Sequence, residues 1–417
     1  MSENINSEIG RLLVSVTSSV GYIPIKNATV KIYAERQKDG ERLLLQDLTT
    51  DESGQTERVI LPAPPKSLSQ EPPETRPYAQ YDVEVSADGY EPVSINGSEV
   101  MADELSVQNV EMNPLEEPDL VESDIVIPDH TLYGEYEAKI PEDEIKDVNE
   151  SGEIVLSRVV IPEYIVVHDG RPDDASARNH YVRYKDYIKN VACSEIYATW
   201  PEAAIYANVL CIMSFTLNRV YTEYYRGKGY DFTITSSTAF DQKWIYGRNI
   251  YENISYIVDT VFNNYLSRPG VVQPIFTSYC DGRKATCKGL SQWGSKYLAD
   301  QGYSAIEIIR YYYGNNMFIN STSYISGVPS SYPGYDLTVG SRGVKVMQIQ
   351  QQLNRIAQNY PAIPKIAADG IFGADTKRAV EVFQGIFLLP QSGEVDYPTW
   401  YQISSVYVAV TRISEPG

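Results

Sequence analysis

Hydrophobic and polar positions change rhythm along the 417 residues. Residues 10–113 alternate with a period of two. Leu12-Leu13-Val14-Ser15-Val16, Ala28-Thr29-Val30-Lys31-Ile32-Tyr33, Val59-Ile60-Leu61 and Tyr81-Asp82-Val83-Glu84-Val85 read as short strands, with turns at 51–56 and 88–90. Short strands with no helix between them predict a small β-sandwich. Residues 160–325 mix periods. A long helix is predicted over 201–225, opened by Pro201 and Glu202, carrying an apolar stripe from Ala204 to Leu217, and stopped by Gly227 and Gly229. Further helices are expected over 255–266 and 304–313, and strands over 231–235 and 272–278. Residues 335–405 carry helical periodicity over 344–357, 375–387 and 397–403, with a tight turn at 368–373. The expected fold is multidomain: an N-terminal β-sandwich (1–113), an acidic linker (114–159), a central α+β domain (160–330) and a C-terminal three-helix bundle (331–417).

Charge sharpens the second boundary. The formal net charge is −20, from 35 basic and 55 acidic residues. Residues 115–153 hold 14 carboxylates against Lys139 and Lys146, so this stretch carries −12 of the total. Repulsion at that density, with Pro114, Pro118, Pro128 and Pro141, predicts an extended linker or pro-segment. A regulatory segment lying over a later site is the sharper alternative. The acidic balance argues against nucleic acid as a partner. No stretch is apolar enough to predict a membrane span, and the polar start, 1–8, does not read as a secretory signal. The 34 Tyr suit contact with a long polar polymer such as a glycan.

Candidate chemistry narrows by elimination. Only 3 His occur, with no HExxH and no Gly-x-Ser-x-Gly, which disfavours zinc-peptidase and Ser-His-Asp chemistry. No cofactor or metal is expected. Cys280 and Cys287 flank a Gly-containing loop and are left open between a disulfide, free thiols and a metal shared with other ligands. Carboxylates become the favoured catalytic groups. Glu195 lies in the apolar run Val191 to Tyr197, where a raised pKa would suit a general acid. Glu202, at a helix start, would stay ionised.

Three resemblances follow from motifs. Residues 10–113, with Asp51-x-x-Gly54 and Gly89-Tyr90, resemble the carboxypeptidase-regulatory-like or transthyretin-like sandwich. Residues 337–384 resemble the peptidoglycan-binding domain of cell-wall hydrolases: Leu337 to Gly343, Val346-x-x-Ile349-Gln350-x-x-Leu353, Asp369-Gly370-Ile371-Phe372-Gly373, Thr376, Ala379-Val380 and Phe383-Gln384. Phe372 reads as core, and Gly370 and Gly373 as turn formers. Asp369 and Thr376 are candidates to meet the wall. Residues 180–315 resemble the SpoIID/LytB family through Glu195-Ile196, Pro201-Glu202, Asp241-Gln242, Pro274 to Gly282, Gly289-x-Ser291-Gln292-Trp293-Gly294 and Tyr312-Tyr313-Gly314. Ala203 stands where that family often has a second Glu, which moves the choice towards Glu195.

The SpoIID/LytB resemblance implies lytic transglycosylase activity on peptidoglycan. Glu195, with Glu202 beside it as second candidate, would be catalytic. Tyr197, Gln242, Ser291 and Gln292 would hydrogen-bond the glycan, and Trp293 would stack on it. The order of the four segments resembles clostridial-type (SleC-like) spore cortex-lytic enzymes. That implies a zymogen made in the mother cell, deposited in the spore cortex and coat region, and cut during germination by a subtilisin-like protease. Cleavage is expected between Ser157 and Val160. The alternatives are a non-catalytic peptidoglycan-binding or amidase-enhancing protein, and an N-acetylmuramoyl-L-alanine amidase.

Overall fold

The computed structural model describes residues 7–35, 42–72, 75–115, 123–129, 132, 137, 139–146, 158–283, 285, 287–327 and 330–411. Two sheets face each other at the N-terminal end. One joins β1 (Glu8–Ser18), β4 (Val59–Ala63) and β7 (Leu105–Met112). The other has the order β3 (Leu44–Thr49), β2 (Thr29–Ala34), β5 (Ala79–Ser86), β6 (Val93–Val100) and β8 (Ser123–Val126). Alternate residues of both sheets, Leu12, Val14 and Val16 on one and Val30, Ile32, Val83 and Val85 on the other, close one apolar core. The facing sheets lie where the period-two pattern predicts strands.

The second unit surrounds one helix. β9 (Tyr164–His168) pairs with β10 (Asn179–Arg183), and α1 (Tyr184–Glu195) follows directly. The central α2 (Glu202–Tyr221) is buried on nearly every side, as an all-round apolar helix must be. By length and composition it could cross a membrane, but 83% of its apolar window is buried within the protein. Around it lie β11 (Ile234–Thr235), β12 (Ile250–Tyr251), α3 (Glu252–Val261), β13 (Asn264–Ser267), β14 (Tyr279–Cys280), β15 (Leu290–Ser291), α4 (Gln292–Asp300), α5 (Ala305–Tyr313) and β16 (Phe318–Ser321). Ser291 caps α4 by accepting Gly294 N–H at 3.0 Å. Ser304 and Glu307 form a capping box on α5.

Several sequence expectations need correction here. Helices α1 and α4 lie where the periodicity predicts no helix, α4 starting inside the Gly289–Gly294 motif. The helix expected over 255–266 stops at Val261, because 264–267 pairs with β16 instead. The strand expected over 272–278 is absent. The one expected over 231–235 shrinks to Ile234–Thr235.

The third unit has α6 (Val344–Ile356), α7 (Ala374–Ile386) and α8 (Tyr397–Thr411). Helix α8 runs eight residues beyond its expected end, since Val406, Ala409 and Val410 continue its buried face. It packs on α3 and so joins the second unit.

The acidic segment is not a free spacer. Residues 123–126 form β8, parallel to β6, and Ile127 enters the sandwich core. Residues 137 and 139–146 lie on the second unit. Repulsion is overcome because their carboxylates meet cations. Glu142 pairs with Arg219, Glu144 with Arg268 and Glu137 with Arg171. Ser157 lies outside the described residues. Val159 is buried and its carbonyl accepts the Thr322 hydroxyl at 2.7 Å, so the expected cleavage window is fastened at its Val159 end.

The sandwich is also tied to the second unit. β12 adds to β7 as an antiparallel strand. Beside it Arg248 Nη2 donates to Glu99 Oε2 at 2.7 Å, with both side chains fully buried. Asn249 brackets the Glu99 backbone, accepting its N–H at 2.9 Å and donating to its carbonyl at 2.9 Å.

Candidate functional site

Glu195 is the last residue of α1, and the chain turns away there at Ile196. Its carboxylate is held from two other segments. Oε1 accepts the backbone N–H of Lys243 at 2.8 Å, and Oε2 accepts Gln292 Nε2 from the first residue of α4 at 2.9 Å. Glu195 lines a pocket with Lys139, Ser194, Thr238, Lys243, Tyr279 and Gln292 among its walls. Burial, then the Glu195 charge, pushes the Tyr279 phenol well above its usual range, so it stays protonated at neutral pH.

Leu132, Glu137 and Lys139 of the acidic segment form part of the wall of this pocket. Lys139 Nζ donates to the Asp241 carbonyl at 2.8 Å and sits 4.6 Å from the Tyr279 ring centroid. Burial lowers the Lys139 ammonium's pKa, while Glu195 and Asp241 favour its charged form. Leu132 lies over the aromatic floor, its N–H 3.4 Å from Tyr197 Oη and its carbonyl 3.3 Å from Trp293 Nε1. About 40 Å³ remains open, room for roughly three waters.

Further along the segment the anchors are ionic. Glu142 takes Arg219 in a bidentate grip at 2.6 and 2.8 Å, while Arg219 Nε donates to Asp241 at 2.7 Å. Asp241 also accepts Tyr225 Oη, Thr235 N–H and Thr235 Oγ1. Glu144 grips Arg268 at 2.8 and 3.0 Å. Gln273 exchanges two hydrogen bonds with the Lys146 backbone.

The structure brings Glu195 and Gln292 together and redistributes the other expected site residues. Glu202 is exposed in the first turn of α2 and does not line the Glu195 pocket. Gln242 is wholly buried. It donates to the Ile212 carbonyl and accepts from Tyr187 and Thr216, so it has no free group for a glycan. Trp293 is 1% exposed and packs against Trp200 and Tyr197. It is a core residue, as is the Tyr197 ring. Ser291 is spent on its helix cap. Sequence reading missed Lys243, whose backbone N–H fixes Glu195, and the ion pairs of Arg219. The partners of both come from distant segments of the chain.

Cys280 and Cys287 form a disulfide that closes the loop beside Gln292. Burial pushes the free Cys193 and Cys211 thiols up to about 11 and about 12, which keeps them un-ionised. Among the described residues no cluster of three or more His, Cys, Asp or Glu is arranged to hold a metal ion.

In the third unit Gln350 is the hub of the turn. It accepts Gly370 N–H at 2.8 Å and donates to Asp369, the Ile371 carbonyl and Thr376. Phe372 and Thr376 are buried, so Thr376 cannot meet a polymer. Gly370 has φ +75°, the left-handed turn that favours glycine. Gly373 caps α7 with extended backbone. Asp369 is exposed, and the Ile371 N–H, then Gln350, hold its carboxyl below the usual range.

This architecture has a name. Residues 342–403 match the family model described as "Putative peptidoglycan binding domain". Residues 342–403 therefore form a peptidoglycan-binding domain. No curated relative matches the chain. Similar solved structures include catechol 1,2-dioxygenase from Acinetobacter sp. ADP1, at 16% identity over 30% of this chain and 60% of that one, TM-score 0.18. The minor pilin GBS52 of Streptococcus agalactiae is 13% identical over 28% of this chain and 48% of the pilin, TM-score 0.19. Transthyretin from Sparus aurata is 14% identical over 24% of this chain and 89% of its own, TM-score 0.16. The chain thus spans less than two thirds of the first two proteins' length, and at these scores none of the three bears on function.

Proposed function

We propose that the chain is the zymogen of a peptidoglycan lytic transglycosylase of the spore cortex, with Glu195 as its single catalytic carboxyl group. The observation that carries this reading is the pocket walled in part by the acidic segment. A conformationally fixed glutamate sits in a cleft on a wall-associated chain, and a charged segment of the same chain lies over it. The motifs shared with the SpoIID/LytB family supply the reaction class.

One carboxyl group is enough for such chemistry, because the nucleophile belongs to the substrate. Glu195, protonated, would give its proton to the glycosidic oxygen as that bond breaks. The resulting carboxylate would accept the proton of the muramyl 6-hydroxyl as its oxygen bonds to C1. The products are a free 4-hydroxyl on one side and a 1,6-anhydro-muramyl end on the other, and Glu195 is returned protonated. Lys243 N–H and Gln292 would keep the carboxyl group aimed throughout.

Activation then requires removal of the segment over 132–146. A cut N-terminal to Val159 by a subtilisin-like protease during germination would free its C-terminal side. Incubating cortex peptidoglycan with uncut and protease-cut chain, and identifying products by mass spectrometry, tests the reading. Anhydro-muramyl ends from the cut chain alone are expected. Reducing ends would mean hydrolysis through a second carboxylate, and liberated stem peptides would mean amidase action. No cleavage by a cut chain that still binds would leave a wall-binding or enhancing protein.

A further inference from the structure

Phe372, Thr376, Leu353 and Phe383 of the peptidoglycan-binding motif are buried, so its exposed residues and their neighbours must meet the polymer. Around the 369–372 turn the domain leaves four apolar side chains in water. Val344 is 80% exposed, Val339 59%, Ile371 40% and Met347 37%. They are neighbours through the backbone. Arg342 and Ile371 form an antiparallel bridge, Gly343 N–H donates to the Gly370 carbonyl at 2.9 Å, and Gly340 N–H donates to the Phe372 carbonyl at 2.9 Å. A side-chain carbon at Gly370 would lie 3.6 Å from Met347 Cε, which puts the methionine against the turn. Single exposed apolar residues are ordinary, but four converging on one turn mark a binding surface.

The surroundings suit a polymer of amides and sugars. Gly340 and Gly343 are exposed, and nothing lies within 4 Å of where their side chains would begin. A ligand backbone can therefore come close to the main chain there. Arg342 and Asp369 are exposed at the edge of the patch, a cation and an anion close enough for Arg342 to favour the Asp369 carboxylate. Peptidoglycan offers the matching chemistry: acetamido, lactyl and alanyl methyl groups for the apolar centre, and amides and carboxylates for the rim.

We propose that Val339, Val344, Met347 and Ile371 form the face that meets peptidoglycan, and that this face is already open while the acidic segment lies against the Glu195 pocket. The first clause rests on the domain match and the second on the zymogen reading. The uncut chain is then held on its polymer before its cleft is freed, and cutting releases activity where the substrate already lies.

The test is co-sedimentation of the full uncut chain with purified insoluble peptidoglycan. The parent should bind. The double variant Val344→Ser, Ile371→Ser should bind about tenfold more weakly or worse, the loss expected for two contacts of this size. Val272→Ser, at a valine of the second unit whose 56% exposure lies between those of Ile371 and Val344, should bind as the parent does. Both substituted sites are exposed, so melting temperatures should match the parent. Unchanged binding by the double variant would overturn the face while leaving wall association standing. A change in oligomeric state with unchanged binding would also overturn it, making the patch a contact between copies. Binding by the cut chain only would overturn the second clause, and no binding by either form would overturn wall association itself.

Discussion

Gln292 Nε2 donates to Glu195 Oε2 at 2.9 Å across 97 residues of sequence. The bond ties the start of α4 to the end of α1. With Lys243 N–H on the other oxygen, both acceptors are engaged and the carboxyl group has one orientation. Under the proposed chemistry Gln292 is a positioning residue. Gln292→Ala should lower kcat of the cut chain about 10- to 100-fold with little change in KM, because the acid is misaimed rather than the glycan released. A rise in KM at unchanged kcat would instead make Gln292 a glycan contact.

Glu195→Gln removes the proton donor and keeps the shape. Cleavage by the cut chain should fall by about 10²–10⁴-fold, while sedimentation with peptidoglycan stays at the parent level. Glu202→Gln should leave the rate within a few-fold, since Glu202 is exposed in the first turn of α2, outside the pocket. Loss of activity in the second variant would bring a second carboxylate into the mechanism.

The acidic segment is held chiefly by Glu142 on Arg219. Glu142→Ala removes a bidentate, charge-assisted grip and leaves Arg219 with Asp241 and the Phe240 carbonyl. Local opening of 139–146 should become about tenfold more frequent or more. Limited proteolysis should cut this segment faster in the variant, and the uncut variant should show measurable cleavage of peptidoglycan. Faster proteolysis with no activity would mean that the segment covers the pocket without restraining it.

What the sequence disclosed, and what it hid, follow one division. Local patterns were legible: the period-two runs gave the sandwich, the all-apolar stripe gave α2, and the turn at 369–373 gave the wall-binding domain. That Glu195 is a buried, hydrogen-bonded carboxylate was legible, because an acid in the run Val191 to Tyr197 is costly unless held. Lys243 and Arg219 were hidden, because their partners come from distant segments. Gln242 and Trp293 sat inside matched motifs yet proved structural, since a motif preserves packing as readily as contact with substrate. The acidic segment misled for a physical reason. Charge repulsion along a chain predicts extension only when no cations wait on another surface, and Arg219, Arg268 and Arg171 did.

The pair Arg248–Glu99 joins the sandwich to the second unit with no solvent at either group. Glu99→Ala would strand a buried guanidinium. The cost should be about 3–5 kcal/mol of unfolding free energy, measured by urea denaturation of the full chain. Both units should lose stability together, because β12 makes their sheet continuous. A variant in which only the sandwich melts earlier would show that the two units unfold independently.

Glu104 supplies a pH signature that does not depend on catalysis. Burial, partly offset by Lys66, pushes its pKa from 4.5 up to about 7, with Asp103 adding to the rise, Arg11 opposing it and Glu252 adding again. A carboxyl group with a raised folded pKa binds more protons folded than unfolded. Its contribution is therefore greatest at low pH and declines as pH rises between about 4.5 and 7. Other carboxylates, such as Asp259 held low by Lys185 and Lys189, act in the opposite sense at lower pH. The comparison must therefore be between variants. Glu104→Gln removes the titration, so its melting temperature should gain on the parent as pH is raised from 5 to 8. Parallel melting curves across that range would show that Glu104 ionises in the folded chain as freely as in the unfolded one.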